Sequence, residues 1–348
     1  MLCNYAKLLV LSVLTVSAVA VNAQTVKGTV ALPGYPEQVA VDPLLNRVYV
    51  AIPNFGIFGD GSYDYLTVVD GKSDVVIKNI KVAPIATAVT VDYVRSLVYV
   101  GGQNSLTGAS EVVVVNALTN KVVNTISVTS TTGGDGVLGL AVNLATGTVY
   151  AANSSDNEVD VIKHGAVATR IATTGEPVAV SVNPFSNLVY ASREDGFVDI
   201  ISGKSNTVTT SAAFGALNQE LAVDLETGNV LTISDPETPG SGSVGILNSA
   251  GTILSTLTVG QGAVGIDVDP LTHLVFVANA TDDTLSVIND STDAVTLTMP
   301  VSSLFLAVNT VSEKVYVSPI DPVTSLTVIN EDAVVPAVSA NKKSGGDQ

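Results

Sequence analysis

Short apolar runs recur along this 348-residue chain, each broken by a polar turn. Residues 46–51 read NRVYVA, and the pattern returns as SLVYVG at 96–101, GTVYAA at 147–152, NLVYAS at 187–192, HLVFVA at 273–278 and EKVYVS at 313–318. Ahead of each lies a second run closed by Asp or Asn, at 42, 92, 143, 183, 224, 269 and 309. Seven residues beyond each closing residue stands Tyr49, Tyr99, Tyr150, Tyr190, Leu231, Phe276 or Tyr316. The closing residues are separated by 50, 51, 40, 41, 45 and 40 positions. A fixed internal offset within a variable period means constant strands joined by loops of changing length. Two further strands follow in most copies, as at 66–82, 112–128 and 285–299. Four strands per repeat of this length predict the blades of a β-propeller.

The predicted fold is therefore all-β: a seven-bladed β-propeller of four-stranded blades over 24–332, with blades at about 37–82, 86–128, 137–172, 177–212, 219–259, 263–299 and 304–330. Strands sandwiched between neighbouring blades are dry on both faces, which explains nearly unbroken runs such as VYVA, and the repeated aromatic reads as packing between blades. The seventh copy supplies only three strands. Residues 25–32 match the outer strand at 252–259, so the N-terminal strand is expected to pair into the last blade and close the ring. Residues 333–348 hold few large apolar groups and read as a flexible tail.

The N-terminus follows a different pattern. Lys7, the apolar run 8–21 and the small residues before Gln24 read as a secretory signal peptide over 1–23, too short to span a membrane. The protein is thus expected to be exported, to the periplasm or the extracellular space, with no membrane span once the signal is removed. Its single cysteine, Cys3, leaves with that segment, which excludes disulfides, zinc–cysteine sites and thiol catalysis. The remainder carries 14 basic and 32 acidic residues, a formal charge of −18. Such a balance argues against nucleic acid or an anionic membrane as partner.

The V-Y-V strand, the V-I-N or V-V-D strand with its Asn/Asp turn, and the V-A-V-D/N strand resemble the YVTN-type propeller repeat of YncE-like bacterial proteins and archaeal surface-layer proteins, over roughly 25–330. The resemblance implies an exported scaffold and no particular chemistry. A chain without tryptophan cannot carry a WD dipeptide or a tryptophan-docking repeat. More distantly, the repeat is similar to that of lactonase-type propellers, which implies the alternative of a hydrolase or isomerase working from carboxylates at the propeller mouth.

In a four-stranded blade the connections from strand 2 to 3 and from strand 4 to the next strand 1 share one end of the ring; the 1–2 and 3–4 turns share the other. The turns are short and uniform, as Asn, Asp and Gly permit. Nearly all length variation falls at the loop end, in 51–65, 101–111, 129–136, 152–158, 192–196, 234–243 and 279–283. Variable loops on a rigid scaffold are where binding sites concentrate. The binding candidates are accordingly Asn54, Asp60, Tyr63, Asp64, Tyr65, Asn153, Arg193, Glu194 and Asp195, facing a protein or glycan partner. No catalytic set is legible: outside the signal segment the only histidines, His164 and His273, fall in turns. No cofactor is expected; calcium at Asp60 with Asp64, or at Asp282 and Asp283, is the one ion the acidic loops suggest, without an EF-hand loop to hold it.

Overall fold

A computed structural model describes residues 26–53, 64–82, 84–104, 107–128, 135–215, 217–235, 240–320 and 322–331. They form seven four-stranded antiparallel sheets, a seven-bladed β-propeller. The first six sheets run consecutively in sequence. The seventh is completed by Val26–Ala31, which pairs with Ser325–Asn330, so the two ends of the described chain share one blade, as expected. The signal segment and the tail lie outside the described residues. Among those described, no helix is long and apolar enough to cross a membrane.

The repeated aromatic explains the packing. Seven apolar clusters fill the seven seams between blades, and one holds each of Tyr49, Tyr99, Tyr150, Tyr190, Leu231, Phe276 and Tyr316, all buried. In six blades the ring or Leu231 faces a small residue across the inner strand pair, as with Ala40 and Tyr49 or Ser181 and Tyr190. Blade six differs: Asp267 stands opposite Phe276.

The closing Asp or Asn of each inner strand shapes the turn that follows. Asp42 Oδ1 accepts from the N–H groups of Leu44 and Leu45, and Asn183, Asp269 and Asn309 repeat the arrangement. Each turn then needs one residue in the left-handed region, supplied by Asn46, Ser96, Gly147, Asn187, Gly228, His273 and Glu313. Asn and Gly meet this need at little cost, which is why they punctuate the repeat.

The seam between blades seven and one carries polar bonds as well. Asn309 Nδ2 donates to Asn46 Oδ1 at 2.9 Å. Lys314 Nζ donates to Asp74 Oδ1 at 2.8 Å, and Lys27 Nζ to Asp74 Oδ2 at 2.6 Å. Asp74 in the first blade thus joins the outer and middle strands of the last.

Candidate functional site

The nine candidates do not form one exposed surface. Asn54, Asp60 and Tyr63 lie outside the described residues. Asp64 and Tyr65 open the strand Asp64–Asp70 rather than extending the loop: Asp64 is buried opposite Val82, and Tyr65 pairs with Ile52 and packs against the seam cluster around Tyr316. Asn153 is fully buried, its Nδ2 donating to Asp160 Oδ2 at 3.0 Å, to Asp156 and to the Val128 carbonyl. Burial pushes the Asp160 carboxyl up to about 7 against the pull of that Asn153 bond.

Arg193 is also buried. It donates from Nη1 to Asp199 and from Nε to Asp195 at 3.0 Å, is ion-paired with Asp195, and lies 5.0 Å from the Phe197 ring centroid. Desolvation is opposed by these carboxylates, which together hold its pKa above the ordinary arginine value. Of this group, Glu194 and Asp195 are the exposed members. Positions three residues beyond the repeated aromatic carry this internal bonding in several blades: Asn279 likewise donates to Ser286 Oγ at 2.9 Å. Such side chains tie strands 2 and 3 together below the loops.

The opening at the axis is built by different residues. In blades two to six the inner strand bulges at its loop end, between Ala86 and Ala88, Val137 and Gly139, Pro177 and Ala179, Asn218 and Leu221, and Ala263 and Gly265. A bulge re-aims the extra side chain. The bulged residues Thr87, Leu138, Val178, Gln219, Glu220 and Val264, with Glu37, Gln38, Asp135 and Phe305, line a cavity of about 380 Å³ at the channel mouth. All seven blades contribute. At Gly139 and Gly265 the inner strands crowd their neighbours: a Cβ would stand 2.7 Å from the Ala179 Cα and 2.6 Å from the Leu304 carbonyl oxygen.

The mouth is acidic, with no cation in its lining. Enclosure raises Glu37 to about 7 and Glu220 to about 8. Glu220 Oε2 also accepts from the Ile266 N–H at 3.1 Å, and Asp267 Oδ2, deeper in the channel, from the Val308 N–H at 2.8 Å. Desolvation lifts Asp267 to about 6 despite such bonds. Gln38 bridges likewise, its Oε1 accepting from the Val89 N–H and its Nε2 donating to the Leu138 carbonyl, each at 3.3 Å. These side chains occupy free edges of inner strands and leave polar atoms facing the lumen.

The sequence carried a signal for them. Two residues before the closing Asp or Asn stand Ala40, Thr90, Ala141, Ser181, Ala222, Asp267 and Ala307, one acid among small residues. Four residues before it, Gln38, Glu220 and Phe305 break a series of Ala and Gly.

Among the described residues no group of three or more His, Cys, Asp or Glu is placed to hold a metal ion. Asp282 Oδ2 accepts from the Gln261 N–H at 2.8 Å, so that acid ties its loop to the connection that enters blade six. Both histidines lie at the turn end; His273 Nδ1 is 3.2 Å from Asp290 Oδ1.

Neither family models nor curated proteins match the chain. Among solved structures it is similar to a Kuenenia stuttgartiensis hydrazine synthase, with a TM-score of 0.69 and 17% identity over 86% of this chain and 96% of that one. That likeness extends to the propeller fold alone.

Proposed function

We propose that this protein is an exported, non-enzymatic β-propeller scaffold of the YVTN type that binds a protein or glycan partner at its loop end, centred on the channel mouth. The observation that carries the reading is the convergence of bulged residues from the inner strands on a cavity of about 380 Å³, at the end where the loops vary. Cavities of this size accept a sugar unit or a side chain, and rigid walls with a few aimed polar groups suit recognition. Export rests on the apolar segment 8–21. Calcium in the acidic loops is an accessory proposal resting on their composition alone.

A second reading has one observation in its favour. Glu37 and Glu220 share the mouth with carboxyls raised into the neutral range, the condition under which one acid keeps a proton while another group is ionised. This would suit carboxylate-based hydrolysis or isomerisation of a lactone or sugar.

Thermal unfolding against oligosaccharides, peptides, calcium and lactones tests both. A ligand at a hundred times its Kd stabilises the fold by about 2.7 kcal/mol. A glycan or peptide shift that disappears in Val178→Arg supports the scaffold; lactone turnover lost in Glu37→Gln/Glu220→Gln selects the enzyme. A flat panel with no turnover removes both small-ligand readings.

A further inference from the structure

The turn end carries a feature that the loop-end reading does not use. Its six most exposed large apolar side chains are Leu44, Val94, Leu118, Phe185, Leu271 and Val311, between 58% and 80% exposed. No other large apolar side chain among the described residues exceeds 56%. Five of the six occupy the same place, two residues after the closing Asp or Asn of an inner strand, at 42, 92, 183, 269 and 309. Leu118 stands at the corresponding point of a 3–4 turn, two residues after Asn116.

Position and presentation are built in. The N–H groups of Leu44, Phe185, Leu271 and Val311 are each held by the carboxylate or amide oxygen of the residue two before, at 2.7–3.2 Å. Leu118 is held in the same way by Asn116 Oδ1 at 3.1 Å. Repetition of the 1–2 turn sets five of the tips, in blades one, two, four, six and seven, at equivalent places around the channel's lower opening, with Leu118 farther out on blade two. A level crown of separated apolar tips matches a flat, deformable surface better than a groove or a single peptide.

Charge is sorted to match. Lys72, Lys121, Lys163 and Lys204 lie at this end and make no ion pair among the described residues, and Arg95 extends the same arc, paired with Asp92. They fall in blades one to four, where Asp70 and Asp74 also stand at this end, Asp74 paired with Lys27 and Lys314, against the exposed acids Glu226, Asp293 and Glu313 in blades five to seven. At the loop end the described cations are Lys81, Arg170 and Arg193, outnumbered by Glu37, Glu111, Asp135, Glu158, Glu194 and Asp195 among others. The overall charge of −17 thus conceals a molecule whose described cations gather mostly at the turn end. Net charge opposes an anionic surface only where it is spread evenly; within a Debye length the local cations govern.

We infer that the turn end docks on an anionic lipid surface, the apolar tips entering the interface while the lysine arc of blades one to four faces the headgroups. This is the arrangement of a protein lying on a membrane rather than spanning it. It leaves the channel mouth pointing away from the lipid.

Co-sedimentation of the purified protein with phosphatidylglycerol–phosphatidylcholine vesicles at low salt tests the inference, comparing wild type with Leu44→Ser/Phe185→Ser/Leu271→Ser. Both proteins carry the same termini, so a difference reports the turn end. Wild type is expected to bind at least ten-fold better than the variant, and better on mixed than on pure phosphatidylcholine vesicles. Thermal unfolding of the variant checks that the ring is intact, and Val178→Arg at the opposite mouth is expected to bind vesicles as wild type does. Equal binding by wild type and triple variant, or no binding by wild type, would overturn the inference. So would wild-type self-association abolished by the three serines, which would assign the crown to a second copy of the chain.

Discussion

Arg193 donates from Nη1 to Asp199 Oδ1 across 2.9 Å, with both side chains closed off from solvent. A loop arginine chosen from the sequence as a contact residue is therefore an internal strut of blade four. Ser211 Oγ also bonds Asp199, so the carboxylate sits within a network. Removing one partner leaves a buried charge unpaired, which costs far more than an exposed pair contributes. Arg193→Ala is expected to destabilise the protein by about 3 kcal/mol in urea unfolding, and Arg193→Met/Asp199→Leu by less. Equal losses would show that Asp199 tolerates isolation.

Closure of the ring gives a pH-dependent prediction. Burial alone would raise the Asp74 carboxyl, but hydrogen bonds from Lys27 and Lys314 outweigh it and hold it below the ordinary carboxylate value. A depressed folded-state value stabilises above the unfolded value and is lost as pH falls through the depressed one. Asp74→Asn should therefore lower the unfolding midpoint at pH 7, with the deficit shrinking as the pH falls from 7 towards 2. A deficit of the same size at both ends of that range would place Asp74's contribution in packing.

The channel acids have the opposite sign. Glu220, raised to about 8, keeps its proton in the folded state over a range where the unfolded chain has released it. Stability then falls as pH rises from the ordinary glutamate value through about 8. Urea midpoints at pH 5.5 and 8.5 should differ, with the lower one at pH 8.5, and Glu220→Gln should narrow the gap while its amide oxygen still accepts from Ile266. An unchanged gap would show that other groups set the slope.

Seam packing predicts a large single-site effect. Tyr190 fills the seam between blades four and five and is almost fully buried. Truncating a buried aromatic removes transfer energy and leaves a cavity, so Tyr190→Ala should cost about 3 kcal/mol, and Tyr190→Phe far less. Similar losses for both would place the contribution in the hydroxyl.

These predictions separate what the chain's pattern reveals from what only the fold reveals. Blade number and strand order were legible because each blade repeats one offset between a closing Asp or Asn and a buried aromatic, or Leu231 in blade five, and the closing strand Val26–Ala31 because it matches the outer strand at 252–259. That offset follows from strand geometry and recurs without reference to the rest of the ring. The candidate site was less legible. Arg193 and Asn153 read as loop residues because their partners Asp199 and Asp160 lie six or seven residues away on the next strand, and cross-strand bonding is invisible in a linear count. Glu220 escaped notice because a bulge, which composition does not announce, turns it towards the axis, and Glu37 because it stands ahead of the strand Val39–Asp42. The departure of Glu220 from Ala and Gly acquires meaning only once the inner strands are set around a channel.

Hydrogen–deuterium exchange of the protein with the most stabilising ligand of the thermal panel shows whether the channel mouth is the binding site. Added protection is expected at the starts of the inner strands, around 37–38, 87–88, 138–139, 178–179 and 219–220, with the turns at 43–46 and 184–187 unchanged. Protection confined to those turns, or to the outer strands, would contradict that assignment.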